Sequence, residues 1–278
     1  YLLSKFTRIP YIITIQSADF SIYRPYFNIK IVKNIFRAIE KTTIKNAAIC
    51  HSVSNHLKKH LETYKPNKTV VIPNGVNNAI FKSNSNKLQT RKELGFDTQN
   101  LIMVCDSRLE NKNGTHDVVK AVNYFKDDIK DFKIIIVGDG PDRKKIEEMI
   151  EKYNLKDKVF LLGRVQYFDL PKLMAACDIF VRPSLAEGFG ISFIEAMACG
   201  VGVIATPVGG IVDFLKDPST GSGQANGLFC EPGNPKDIAE KIKILIQDKL
   251  LAQKLIQNGL NLVKNEYNWD IISQKIKN

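Results

Sequence analysis

RPSLAEGFGISFIEAMACGVGVIATPVGGIVD, residues 182–213, is the most densely patterned stretch of the chain. A strand ends at Pro183, a turn carrying Gly188 and Gly190 follows, and a helix starts near Ile191. The first amides of such a helix lack intrahelical acceptors. They point outward with the positive end of the helix dipole, a setting that suits a diphosphate. Glycine at 188 and 190 lets a ligand approach the backbone. Two carboxylates bracket the turn: Glu187 at the loop mouth and Glu195 one turn inside the helix, where side chains lean back toward the N-terminus. Both then face one ligand over the helix start, and carboxylates accept well from vicinal hydroxyls. The plainer alternatives are helix capping for Glu187 and an exposed helix position for Glu195. The apolar neighbours Ile194 and Ala196 turn Glu195 inward instead.

On either side the pattern continues as an alternation. Residues 101–105, 133–137, 159–162, 179–182, 201–206 and 228–230 read as strands. Residues 115–125, 142–153, 170–176, 191–198, 236–247, 250–264 and 269–276 read as helices. Strands alternating with helices predict an α/β fold with a parallel sheet covered on both faces, binding ligands at the carboxyl ends of its strands. Arg108 directly follows the first of these strands, and Lys112 lies four residues on. A guanidinium fork plus an ammonium suits a diphosphate leaving group, although two surface cations on a loop would look the same. Gly138-Asp139-Gly140-Pro141 also follows a strand but is an incomplete dinucleotide fingerprint. Gly163-Arg164-Val165 stands in the equivalent place after the next strand.

The first quarter differs in composition. The chain of 278 residues carries 40 Lys+Arg against 29 Asp+Glu, and residues 1–74 hold 12 and 3 of them. That asymmetry predicts either a surface facing anions or a solvated basic helix face. Residues 11–15 read as a short buried strand. Residues 28–46 read as a helix with Ile31, Ile35 and Ile39 on one side. Ser54 is placed to cap a helix through Leu61, and residues 69–72 form a further strand before the turn Pro73-Asn74-Gly75. Residues 82–89 are polar and read as a linker. Residues 217–226 form a surface loop that lacks the Gly-Lys-Ser/Thr ending of a phosphate-binding loop. No apolar run approaches the ~18 residues of a membrane-spanning helix. Five cysteines without a Cys-x-x-Cys spacing read as buried thiols of a cytoplasmic protein. His51, His56 and His60 lack the intervening glutamate of a zincin and read as ordinary histidines. Neither an aromatic stacking motif nor a helix-turn-helix supports nucleic acid as a partner.

On residues 108–114, 137–140, 163–165 and 183–210 the chain resembles the C-terminal domain of the family 4 retaining glycosyltransferases of the GT-B fold. Glu187 and Glu195 match that family's Glu-x7-Glu pair. Pro73-Asn74-Gly75-Val76 resembles the segment joining its two domains, and Asn268-Trp269 the tail that crosses back. The resemblance implies three parts. Residues 1–74 would be the C-terminal part of an N-terminal acceptor domain, residues 75–266 a complete Rossmann-like donor domain, and residues 267–278 a crossover helix. The chain, which starts at Tyr1, is accordingly read as N-terminally truncated and expected to bind donor while transferring sugar poorly.

The resemblance also implies roles. Glu187, Arg108 and Lys112 are catalytic. Glu195 holds the ribose. Gly188, Phe189, Gly190 and Ile191 meet the sugar and its phosphate, and Arg164, Val165 and Gly138 flank the nucleotide. It further implies transfer from a nucleotide sugar to a glycan or lipid-linked acceptor, with retention and with no cofactor or metal. Peripheral contact with anionic membrane is expected from the basic helix. A donor-binding remnant without turnover, or a nucleotide-sugar epimerase or phosphorylase-like enzyme of the same fold, remain as alternatives. Three positions depart from the family pattern. Asn113 precedes Gly114 where the lysine is usual, Gly202 replaces a proline, and Gln16 stands where a histidine is common.

Overall fold

The structure is a computed structural model that describes residues 1–17, 30–83, 86–97, 99–221 and 223–277. Its strands form two parallel sheets. The first has the order β1-β2-β3, built from β1 (Ile12–Ile15), β2 (Ile49–Ser52) and β3 (Thr69–Val71). Helices α1 (Leu2–Thr7), α2 (Lys30–Asn46) and α3 (Asn55–Glu62) accompany it. The second sheet uses β4 (Leu101–Asp106), β5 (Phe132–Val137), β6 (Val159–Gly163), β7 (Ile179–Arg182), β8 (Gly202–Ala205) and β9 (Leu228–Phe229). Its helices are α4 (Lys87–Glu93), α5 (Thr115–Ala121), α6 (Arg143–Lys152), α7 (Leu170–Ala176), α8 (Ile191–Ala198), α9 (Ile211–Phe214), α10 (Pro235–Gln247) and α11 (Lys249–Leu262). A last helix, α12 (Trp269–Lys277), ends the described chain.

The strand order of the second sheet is β6-β5-β4-β7-β8-β9. This is the doubly wound Rossmann order. Its direction of winding reverses between β4 and β7, which opens a crevice at their carboxyl ends. Every residue of β7 and of β8 is buried, as expected for strands covered on both faces. Phe180 of β7, Phe193 of α8 and Phe214 of α9 meet ring to ring beneath that crevice, at 5.3 and 6.3 Å between centroids. Each buried phenyl contributes roughly 1.5–3 kcal/mol. The core under α8 is therefore rigid where the loop above it must be placed.

Helix α3 joins the two sheets. Ser54 caps it by accepting from the Leu57 amide at 3.2 Å. Leu61 packs with Ile44, Ala47 and Cys50 of the first unit, while Leu57 and Val53 belong to the core under the second sheet. A second tie lies at the other edge. The Val76 amide donates to the Tyr267 carbonyl (2.7 Å), and the Trp269 amide returns a bond to the Val76 carbonyl.

Two expectations need correction. Residues 82–89 are not all linker: α4 starts at Lys87, capped by the Asn86 side chain. Its charges are ordered by pairing, since Lys87 and Arg91 both reach the Asp178 carboxylate, at 2.8 and 2.6 Å. Strand β1 is an edge of the described sheet rather than buried, and Ile12 is 64% exposed. Helix α2 turns Ile35, Phe36 and Ile39 outward. Residues 28 and 29 and the Ile31 side chain lie outside the described residues. The five cysteines are free and buried. No described helix is long and apolar enough to cross a membrane.

Candidate functional site

A two-lobed cleft occupies the crevice between β4 and β7. One lobe, about 790 Å³, runs toward the first sheet and is lined by Ser17, His56, Arg108, Lys112, Glu187 and Gly188 among others. The other, about 630 Å³, lies over the second sheet, with Gly138, Arg164, Val165, Ile191, Ser192 and Glu195 in its wall. Ser107, Arg108, Arg182 and Glu187 line both. The two lobes thus adjoin at a waist of two cations and a carboxylate.

The loop after β4 is knitted to its neighbours by backbone. The Ser107 amide donates to the Val137 carbonyl, and the Leu109 amide to the Asp139 carbonyl. Gly138 has φ +118, and a Cβ there would lie 1.9 Å from the Ser107 carbonyl oxygen, so only glycine lets β5 end this close to the loop. Arg108 is largely exposed. Its Nε sits 2.6 Å from Glu110, and Lys112 lies 3.6 Å from the same carboxylate. Glu110, a residue that motif reading passed over, therefore neutralises both cations when no anion is bound. Asn113, in the place usual for lysine, is buried and donates through Nδ2 to the Arg108 carbonyl at 2.6 Å. It shapes the loop and leaves Lys112 as the ammonium at the cleft.

The loop after β7 carries Glu187. Its carboxylate pairs with the Arg182 guanidinium and accepts from the Gly188 amide at 3.2 Å. Arg182 is the principal residue that sequence reasoning missed. It also donates to Ser192 Oγ (2.7 Å) and the Asp106 carbonyl (3.2 Å), and it lies over the Phe193 ring. One signal was present: Arg182 and Asp106 each end an otherwise apolar buried strand at its carboxyl edge. Helix α8 begins at Gly190 without a side-chain cap. Among the described residues, the Ile191 and Ser192 amides have no hydrogen-bond acceptor, and both residues line the second lobe.

Glu195 points into that lobe and is 8% exposed. Among the described residues its carboxylate makes no hydrogen bond or ion pair. Burial, reinforced by the Asp106 charge and opposed by Arg182, pushes its carboxyl up to about 7. Asp106 is raised as well, by burial against the pull of Arg182. Phe189 differs from expectation. Its ring is buried against Phe214 and Tyr267, because the position after Gly188 faces the core. Phe189 lines neither lobe. Gly190, with φ +92, sets the start of α8 and does not itself line either lobe. His56 lines the first lobe, His51 bonds Thr14 and the Ile72 carbonyl, and His60 packs on Tyr64. No described cluster of three or more His, Cys, Asp or Glu is arranged to hold a metal ion.

Comparison with known proteins agrees with this fold. The family profile described as Glycosyl transferases group 1 matches residues 86–262, and that of Glycosyltransferase Family 4 matches residues 1–79. An uncharacterized glycosyltransferase of Methanocaldococcus jannaschii is 33% identical over 271 residues, 97% of this chain and 67% of the relative. A GDP-mannose-dependent monoacylated alpha-(1-6)-phosphatidylinositol monomannoside mannosyltransferase of Corynebacterium glutamicum is 30% identical over 216 residues, 74% of this chain and 54% of that protein. The solved structure of sucrose-phosphate synthase from Thermosynechococcus elongatus superposes with a TM-score of 0.83 over 99% of this chain and 69% of its own. At 24% identity it speaks for the GT-B fold alone.

Proposed function

Since the chain belongs to the glycosyl transferases group 1, we propose that its cleft holds a nucleotide-diphosphate sugar and passes the sugar, with retention, to a glycan or lipid-linked acceptor. The chain is a glycosyltransferase of GT-B fold that uses a nucleotide sugar. The site assignment is our reading. The diphosphate lies at the waist, between Arg108, Lys112 and the free amides of α8. The ribose hydroxyls donate to Glu195, and the base lies beside Arg164 and Val165. The sugar extends past Glu187 and Gly188 into the lobe that faces the first sheet. The observation that supports this reading most is the pair of adjoining lobes at the β4/β7 reversal, with Glu195 in one, Glu187 in the wall of both and cations between them.

With the sugar held there, charge develops on the leaving diphosphate. Donors already fixed at 107–112 and 191–192 meet it without reorganisation, which is how such sites lower a barrier. An acceptor hydroxyl entering through the first lobe approaches on the diphosphate side, so the departing phosphate oxygen takes its proton and configuration is retained. Neutralisation by protein groups makes a catalytic metal unnecessary. The divisions at 1–74, 75–266 and 267–278 are proposed as acceptor, donor and crossover parts. The Corynebacterium relative acts on a lipid carrying a phosphoinositol head. A lipid-linked acceptor here also fits α2, where exposed Ile35, Phe36 and Ile39 stand among Arg37, Lys41 and Lys45. Such a helix suits peripheral contact with anionic membrane.

Calorimetry with UDP- and GDP-sugars tests the donor. Arg108→Ala is expected to weaken affinity by about 2 kcal/mol, and Lys112→Ala by about half as much, because a guanidinium hydrogen-bonds the anion while the ammonium acts as a point charge. Equal affinity in wild type and Arg108→Ala counts against the assignment. Whatever transfer the chain supports is expected to continue in EDTA, and loss restored by Mg²⁺ overturns the metal-free reading. The anomeric proton coupling of the product, compared with that of the donor, tests retention.

A further inference from the structure

We propose that Ser54, in the first unit, is a positioning residue for the sugar half of the donor site, acting through its hydrogen bond to the Gly188 carbonyl. The inference rests on the donor assignment above. Ser54 follows β2, caps α3 and is 1% exposed. Its hydroxyl has one proton and two lone pairs. The proton goes to the Gly188 carbonyl at 2.7 Å, and a lone pair takes the Leu57 amide at 3.2 Å. Among the described residues, no other donor reaches the Gly188 carbonyl.

The loop around Gly188 sits in a slot. The Gln16 carbonyl oxygen stands 2.3 Å from where a Cβ of Gly188 would be, which closes one side. Gly209 and Gly210 close the other, with ideal Cβ positions 1.8 Å from the Glu187 carbonyl and 2.4 Å from the Gly188 carbonyl. Next to Ser54, the Asn55 amide donates to Asp213 at 2.7 Å, a second bond across the same seam. The two cross-seam bonds differ in what they hold. Asp213 ties α3 to α9. Ser54 ties α3 to the carbonyl of Gly188, the residue whose own amide bonds the Glu187 carboxylate. Without the Ser54 proton, a part-buried carbonyl loses its donor, and relieving that cost shifts Gly188 as a whole, a residue with no side chain to anchor it. The Gly188 amide then leaves Glu187, and the surface that meets the sugar is lost, while Arg108, Lys112 and Glu195 keep their places.

The discriminating measurement is a ratio. Affinities of wild type, Ser54→Ala and Ser54→Gly are measured by calorimetry for UDP-glucose against UDP and for GDP-mannose against GDP. Glycine is included because it remains an acceptable N-cap, so α3 persists in that variant. Both variants are expected to bind the responsive nucleotide sugar about fivefold to tenfold more weakly, the scale of one buried hydrogen bond, and the matching nucleoside diphosphate within about twofold of wild type. Asp213→Ala, which cuts the neighbouring bond, is expected to leave the ratio unchanged. Equal weakening of sugar-bearing and sugar-free ligands by the Ser54 variants, or no weakening of either, overturns the proposal. If wild type binds none of the four ligands, the donor assignment fails and this inference falls with it.

Discussion

Arg182→Met is expected to lower the free energy of unfolding by roughly 3 kcal/mol, the low end for breaking a buried ion pair from one side. The low end applies because the pair keeps some solvent: the Arg182 and Glu187 side chains are 10% and 18% exposed. Removing the guanidinium strands the Glu187 carboxylate, the Ser192 hydroxyl and the Asp106 carbonyl at the waist of the cleft. It also removes the positive charge that holds Glu195 and Asp106 down, so both rise further. Donor binding at neutral pH should fall with stability. The double change Arg182→Met/Glu187→Leu separates the two effects. Replacing both partners with apolar groups is often neutral for stability. Most of the lost stability should therefore return, while donor affinity should not. Urea unfolding followed by calorimetry measures both. A loss under 1 kcal/mol in the single variant would mean that water, not Arg182, satisfies Glu187.

A second large effect is expected at Glu195. Its carboxyl stands at about 7 in the folded protein because burial, and then Asp106, disfavour the charge. A raised carboxyl pKa means that the folded state binds the proton more tightly than the unfolded chain. The resulting stability is present at low pH and is lost as pH rises toward about 7. Ligand binding runs the other way. Two ribose hydroxyls donating to Glu195 favour its ionised form. Affinity for a nucleotide sugar should therefore rise as pH rises through about 7, and be about tenfold weaker at pH 6 than at pH 8. A nucleotide sugar is the right probe, because its diphosphate is esterified at both ends and does not titrate in that range. Glu195→Gln should bind about 1–3 kcal/mol more weakly at pH 8 and show no pH dependence between 6 and 8. A wild-type profile flat over that range, or a glutamine variant that keeps the slope, removes Glu195 from the ribose.

The repeating pattern of apolar residues determined α7, β7 and α8 at the limits observed, and the alternation along residues 101–230 determined a parallel α/β sheet. These are local properties: burial on both faces demands apolar strands, and a helix buried on one side demands a period near 3.6. The placement of Arg108 and Glu187 at strand ends was legible for the same reason, since a parallel sheet presents its carboxyl edge as one surface. Tertiary structure alone decided which charge meets which. Arg182 reaches the Asp106 carbonyl only because β4 lies beside β7, a neighbour relation between strands distant in sequence, and it reaches Glu187 through the turn of the loop after β7. Glu110 holds Arg108 and Lys112 through the turn of one loop. The Phe189 ring faces the core, and α4 replaces a linker, because Phe214, Tyr267 and Asp178 arrive from far along the chain. Ser54 and Gly188 are 134 positions apart, and nothing in either segment announces the other. Periodicity reports how a segment meets an average interior. A hydrogen bond across the fold depends on one particular neighbour, and only packing chooses it.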